Sequence, residues 1–382
     1  MSEQPRPAQH PTLHLRQSPK RILVTALCPI GDTFFLTPAL IQVRRRFPAA
    51  RITALAFPSN AAVLDDASMV DELRLTSEIA PGPAPWRYLQ MIWWLAHEEC
   101  DLLVNFSYAG AILTLAAGMR VPRLGMYYPP LFAFFGNHEA AYRARHAVDH
   151  YFKAIEPLIP TPTNPDERAP TFRLTQADRA AARRLLRTRE IAPGAPLITL
   201  HVGGDGFNGR KRWAPERFAE VASHLIEQYD AQILLVGGKV DIPMVEATLA
   251  AMPEPQRAHA HPLAGQTSLK ETGALIEASA LFIGNDSSPL HIAAAVGTPA
   301  IGIFGPSDWN HFAPVGHAGY QSKALHSDLP CSPCFHFVAN DPLWKQNFCY
   351  SYACLKAISS QQVFETATGL LRERVGEPAT AR

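Results

Sequence analysis

At 382 residues the chain exceeds the roughly 250–300 residues at which a single hydrophobic core stops growing, and 47% hydrophobic against 18% charged residues excludes wholesale disorder. Two domains are expected. A formal charge of +1 leaves no global basic field for nucleic acid or an anionic membrane, so an anionic ligand has to be met locally.

Residues 1–20 are polar and rich in Pro, Gln and His, without the apolar core of a signal peptide, and read as a disordered tail. From Arg21 the pattern is strand (Ile22 to Leu27), glycine turn (Ile30–Gly31), helix (Thr33 to Phe47) and strand (Arg51 to Phe57), a βαβ opening. The apolar run Asp101 to Phe106 predicts a further buried strand, so residues 21–165 are expected to form a parallel α/β domain. The longest apolar stretch, Ala109 to Met119, stops at Arg120, short of the ~20 residues that cross a bilayer, and a cytoplasmic protein is expected.

Between Ile159 and Pro170 repeated prolines remove backbone donors and mark a linker. Strands are then predicted at Leu197–Val202, Gln232–Val236, Ala280–Ile283 and Ala300–Phe304, with helices at Pro215–Tyr229, Val240–Met252 and Pro289–Val296. A second Rossmann-like domain over residues 166–358 follows, and residues 359–376 form a last helix that could pack back on the first domain. Ligands of open parallel sheets lie beyond the carboxyl ends of the strands, so the loops after strands are the ones to inspect.

Three such loops carry chemistry. In the first, Cys28-Pro-Ile-Gly-Asp-Thr, Asp32 follows Gly31 and precedes Thr33 at a strand-to-helix turn, where it either serves a ligand or caps the helix. The second runs from His201 to Pro215. Its Gly204, Gly206 and Gly209 match G-x-G-x-x-G, but Pro215 starts the helix six residues after the third glycine and Asp230 precedes its strand, so the dinucleotide fingerprint is rejected. A glycine-rich basic loop remains, either solvated or wrapping phosphates with Lys211 as a point charge. In the third, a strand ends at Gly284 and Pro289 opens a helix whose free N–H groups near Ser287 and Ser288 suit a diphosphate. Asp286 either accepts from hydroxyls or caps that helix, and His291 either donates to the ligand or packs in the core.

Taken together these segments resemble glycosyltransferase family 9, the ADP-heptose-dependent heptosyltransferases, over the chain from about Arg21 to the C-terminal helix. Gly31-Asp32 with Thr37-Pro38-Ala39-Leu40 is similar to the family's N-terminal motif, Lys211 before Trp213 to its phosphate-binding lysine, and Gly284 to His291 with Gly297-Thr298-Pro299 and Phe304-Gly305-Pro306 to its donor motif. The resemblance implies a GT-B type fold, two Rossmann-like domains with parallel sheets facing across a cleft. It implies an inverting transfer of heptose from ADP-heptose to a glycolipid acceptor of the lipopolysaccharide core, at most in peripheral contact with the inner membrane. Asp32 would be the base, Gly31 and Thr33 would sit in the acceptor loop, and Lys211, Asp286, Ser287, Ser288 and His291 would bind donor. Asp241 stands where the family places an acid on the adenosine ribose, and also suits a helix start. The turn Cys28-Pro29-Ile30 departs from the small polar residues of many relatives. No metal or other cofactor is required for catalysis, because Lys211 and the helix end supply positive charge and neither carboxylate site holds a D-x-D pair.

Cys331, Cys334, Cys349 and Cys354 give four thiols at short spacing, compatible with a structural iron or zinc or with reduced, packed thiols. Autotransporter heptosyltransferases are similar in carrying a four-cysteine iron finger, so a protein acceptor is one alternative; a catalytically silent nucleotide-sugar binder is another. His146, Asp149 and His150 fall on one helical face without an H-E-x-x-H pattern and read as solvated or acceptor-facing. Arg44, Arg45 and Arg46 suit a helix C-terminus, and the aromatic stretch Pro129 to Phe135 suits core packing better than a lipid contact.

Overall fold

The computed structural model describes residues 15–79, 84–107, 121–125, 146–191, 194–204, 209–334, 349 and 351–375. The stretches 109–119 and 129–135 and position 206 lie outside the described residues. The chain divides into two compact units, Met1–Thr163 and Asn164–Arg382, and the division falls within the proline-rich segment expected to be a linker.

The first unit is built on strands β1 (Arg21–Ala26), β2 (Arg51–Ala56), β3 (Glu72–Leu75), β4 (Leu102–Asn105) and β5 (Arg123–Gly125), all parallel, in the order β3-β2-β1-β4-β5. Apart from their first residue or none, β1, β2 and β4 are wholly buried, as strands covered on both faces must be. Helices α1 (Ile30–Arg46), α2 (Ala84–His97) and α3 (Ala147–Ile155) belong to this unit. Pro38 lies inside α1 and cannot donate to the Phe34 carbonyl one turn back; the Thr37 hydroxyl does so instead at 2.8 Å, which lets the Thr-Pro pair sit in a buried helix.

The second unit begins with α4 (Gln176–Thr188), opened by a reciprocal capping box between Thr175 and Asp178. Its elements then run β6 (Leu197–His201), α5 (Pro215–Tyr229), β7 (Gln232–Leu235), α6 (Ile242–Ala251), β8 (Ala260–Pro262), α7 (Leu269–Ala278), β9 (Leu281–Asn285), α8 (Ser288–Val296), β10 (Ala300–Ile303), β11 (Ser322–Leu325) and α9 (Ser360–Val375). The strands are again parallel, in the order β11-β10-β9-β6-β7-β8. Both sheets therefore reverse direction of strand addition beside their first strand, between β1 and β4 and between β6 and β9, which is where such sheets open a crevice for ligands.

Val363, Ala367, Leu370 and Leu371 of the C-terminal helix, α9, belong to the core that holds β6, β9 and α5. One expectation needs correction. The helix expected from Val240 starts at Ile242, preceded by a single tight turn over Lys239–Asp241, because Pro243 suits only the first turn of an α-helix. The edge strands β3, β5, β8 and β11 had no sequence signal, being three or four residues long.

Candidate active site

In the first unit the loop after β1 is held by neutral hydrogen bonds. Asn105 ends β4 opposite Thr25, fully buried, and its Oδ1 accepts from the Thr25 hydroxyl at 2.6 Å and the Ser107 N–H at 3.0 Å. The Ser107 hydroxyl in turn accepts from Leu27 N–H at 2.7 Å, and Asn60 Nδ2 donates to the Cys28 carbonyl at 2.7 Å. This cradle delivers Gly31 and Asp32 into the first turn of α1, where Asp32 is 8% exposed. The N-cap residue, Pro29, makes no side-chain capping bond, and the charge of Asp32 in the first turn suits the positive helix end. Thr33 is buried and donates to the Pro29 carbonyl at 3.1 Å, making it a brace of the turn. Burial first, and then the charge of Asp32, push the Cys28 thiol far up, so this side chain stays neutral and faces inward.

In the second unit β6 and β9 end side by side, with His201 opposite Gly284. Asn285, fully buried, accepts from the Trp213 N–H at 3.0 Å and donates to the carbonyls of Val202 and Gly203 at 3.1 and 2.8 Å. One side chain thus pins both ends of the basic loop to the sheet. The Trp213 indole, 1% exposed, donates to the Ile358 carbonyl at 3.0 Å and anchors the loop's far end. Between these anchors Lys211 Nζ meets Asp286 Oδ2 at 2.5 Å, so two residues singled out from separate motifs form one buried ion pair. Burial alone would raise the Asp286 carboxyl, but the charge and hydrogen bond of Lys211, then the Ser307 hydroxyl and His291, hold it below the usual carboxylate range. The Phe312 ring centre lies 5.5 Å from Lys211 Nζ and shields the pair from water.

Ser287 and Ser288 open α8, and no side chain caps this helix start. Pro289 has no N–H and Leu290 N–H donates to the Ser287 carbonyl at 3.0 Å, so the backbone donors that can serve an anion at this end are those of Ser287 and Ser288. His291 is buried in the following turn, close enough for its charge to act on Asp286.

Asp241 bonds to the backbone of two loops: Oδ1 accepts from Gly204 N–H at 3.0 Å and Oδ2 from Gly238 N–H at 2.8 Å, and the side chain is 6% exposed. Burial opposes its ionisation, yet His201 and the two backbone donors bring it down to about 2. The approach needs a missing side chain above it, since a β-carbon on Gly203 would stand 2.0 Å from Asp241 Oδ1. Gly204 and Gly209 carry positive φ angles of 110° and 77°, so these glycines serve loop geometry and not a dinucleotide fold.

His146 is half-buried and caps α3, its Nδ1 accepting from Val148 N–H at 3.2 Å, while His150 is buried and not solvated. Arg44 is committed to the Ala50 carbonyl and Asp71, as a helix-end cation would be. Cys331 is exposed, Cys334 and Cys349 half-buried and Cys354 buried; burial pushes the Cys334 and Cys354 thiols up, and the charges of neighbouring thiols of the same set add to it. Among the described residues no group of three or more His, Cys, Asp or Glu side chains is placed to hold a metal ion. Asn60, Asn105, Asn285 and His201 escaped the sequence reading; the only trace was that each lies at or just after the end of a strand.

Two parallel α/β units of this order, one with a carboxylate and the other with a cationic, anion-ready crevice at the switch point, define a glycosyltransferase of the GT-B type. The sequence model of glycosyltransferase family 9 (heptosyltransferase) matches residues 102–344, and the chain belongs to that family. It is 24% identical over 347 residues to lipooligosaccharide heptosyltransferase 2 of Campylobacter jejuni, covering 90% of this chain and 96% of that one. Among solved structures, a family 9 glycosyl transferase from Veillonella parvula aligns with a TM-score of 0.75 at 24% identity, covering 93% of this chain and 98% of that one. Escherichia coli ADP-heptose lps heptosyltransferase II aligns with a TM-score of 0.70 at 22% identity, covering 92% and 99%.

Proposed function

We propose that this enzyme moves heptose from ADP-heptose to a saccharide acceptor of the lipopolysaccharide core, with inversion at the anomeric carbon. The observation that carries the reading is the buried Lys211–Asp286 pair beside the uncapped start of α8, at the switch point of the second sheet. A diphosphate there meets Lys211 and the N–H groups of Ser287 and Ser288, which hold the charge that develops on departing ADP. Asp32 takes the proton of the acceptor hydroxyl as its oxygen bonds to the anomeric carbon and the bond to the diphosphate oxygen breaks. A single displacement of this kind inverts the centre, and the positive charge it needs comes from Lys211 and the helix dipole. Asp241 supports the phosphate loop from below.

Calorimetry tests the donor assignment. ADP-heptose and ADP are expected to bind in preference to UDP-glucose and GDP-mannose, and Lys211→Ala is expected to weaken both by about tenfold or more, the worth of one charged hydrogen bond. Preference for a uridine or guanosine donor would end the ADP-heptose reading and leave the fold reading intact. The acceptor places the work at the inner face of the inner membrane, by peripheral contact; no helix among the described residues is long and apolar enough to cross a membrane.

A structural iron or zinc at Cys331, Cys334, Cys349 and Cys354 is proposed on their spacing in the sequence, and binding would have to draw the thiols together, since no group of three or more of them is placed for a metal among the described residues. Four thiolates suit a tetrahedral site, and no catalytic step passes through it. Elemental analysis of the purified protein should find about one metal per chain; substoichiometric metal with all four thiols reactive to a thiol reagent would rule the site out.

A further inference from the structure

Resting on the donor site proposed above, we infer that His201 is a positioning residue for the donor diphosphate, acting through Ser287 and itself held by Asp241. The three side chains form a chain across the loops that follow β6, β7 and β9. His201 Nδ1 lies 2.9 Å from Ser287 Oγ, and His201 Nε2 lies 3.5 Å from Asp241 Oδ2. His201 is 3% exposed, so these contacts are shielded from water.

Ser287 Oγ lies 3.1 Å from the Asn285 carbonyl and 2.9 Å from His201 Nδ1, and it bonds the ring as donor or as acceptor according to the tautomer of His201. The opposite ring edge then faces a carboxylate already held by two backbone donors, at a distance longer than a good N–H···O bond but within ion-pair range. Asp241 in this way fixes the ring plane, and the ring fixes Ser287.

The consequence falls on the helix start. A serine at this position ordinarily turns its hydroxyl onto the second or third N–H of its own helix. Here the hydroxyl is drawn away to His201 and Asn285, and α8 carries no side-chain cap. Pro289 has no N–H and Leu290 N–H donates to the Ser287 carbonyl at 3.0 Å, so with Ser287 extended, φ −159° and ψ 167°, the donors that can serve the diphosphate are the Ser287 and Ser288 N–H groups. His201 touches neither sugar nor phosphate in this scheme; it holds the Ser287 side chain and so sets the backbone that does the binding.

The test compares ADP affinity and steady-state kinetics for His201→Phe, His201→Asn, Ser287→Ala and the double variant His201→Phe/Ser287→Ala, with melting curves for each. His201→Phe should weaken ADP about tenfold and raise KM for the nucleotide sugar by a similar factor while kcat stays within about threefold, since the diphosphate is bound in both ground and transition states. His201→Asn, which keeps a donor where Nδ1 stands, should recover most of the affinity. Because both residues act through one contact, the double variant should be no weaker than the worse single variant.

Wild-type affinity in His201→Phe with an unchanged melting temperature would overturn the inference, and so would losses that multiply in the double variant. Should His201→Phe fail to fold, the His201→Ala/Ser287→Ala cycle carries the same test. Failure of the wild type itself to bind ADP would strike the donor reading instead, so the two failures are told apart.

Discussion

The two units share a strand order and a structural asparagine, yet they arm their switch points differently. Asn105 closes β4 and Asn285 closes β9; each is fully buried on the strand next to the unit's first strand, and each bonds toward the loop that carries the candidate residues. In the first unit that loop is short, its anchors are uncharged, and it presents one carboxylate. In the second it is long and basic, is pinned at both ends and braced from below by an ionised Asp241, and presents a paired lysine beside an open helix start. The difference follows from the two halves of group transfer. A base needs one acceptor atom in a firm place, whereas a departing diphosphate needs several donors whose positions are settled before the charge arrives.

If the division of labour is right, Asp32→Asn should break one half without touching the other. Turnover should fall by about 10²- to 10⁴-fold, the usual worth of a general base, while calorimetric ADP affinity stays at the wild-type value. Turnover within tenfold of wild type would remove Asp32 from the chemistry. Asn285→Ala sharpens the comparison from the other side. It strands the Trp213 N–H and two loop carbonyls in a buried place, so chemical denaturation should report a loss of about 2–4 kcal/mol and ADP binding should weaken with it.

Acid gives the smallest effect. The carboxyl of Asp241 is depressed from 3.8 to about 2 in the folded chain, so its stabilisation is present in full above pH 4 and is lost as pH falls toward 2. The expected contribution is about 2 kcal/mol, of which roughly half should be lost at pH 3, read as the narrowing of the gap between wild type and Asp241→Asn in denaturation from pH 6 to pH 3. A gap that does not shrink on acidification would mean that Asp241 is not held as an ion.

Much of this was legible in the chain itself. Hydrophobic runs of strand length set off by glycine and proline marked the two α/β units and their central strands, and the Lys211, Asp286 and Ser287–Ser288 segments stood out because charge and helix-start residues followed directly on a strand. Local sequence determines these features, since strand burial and the proline at a helix start are properties of a few consecutive residues. Which distant residues meet is another matter. That Lys211 pairs with Asp286, that Asp241 turns inward to Gly204, that His201 reaches both Ser287 and Asp241, and that α9 joins the second core are separations of tens of residues closed only by the order of strands in the sheet. Parallel β6 and β9, adjacent in space while paired residues such as Ile198 and Leu281 lie far apart in sequence, bring their carboxyl ends together, and the tertiary structure alone decides what that juxtaposition holds.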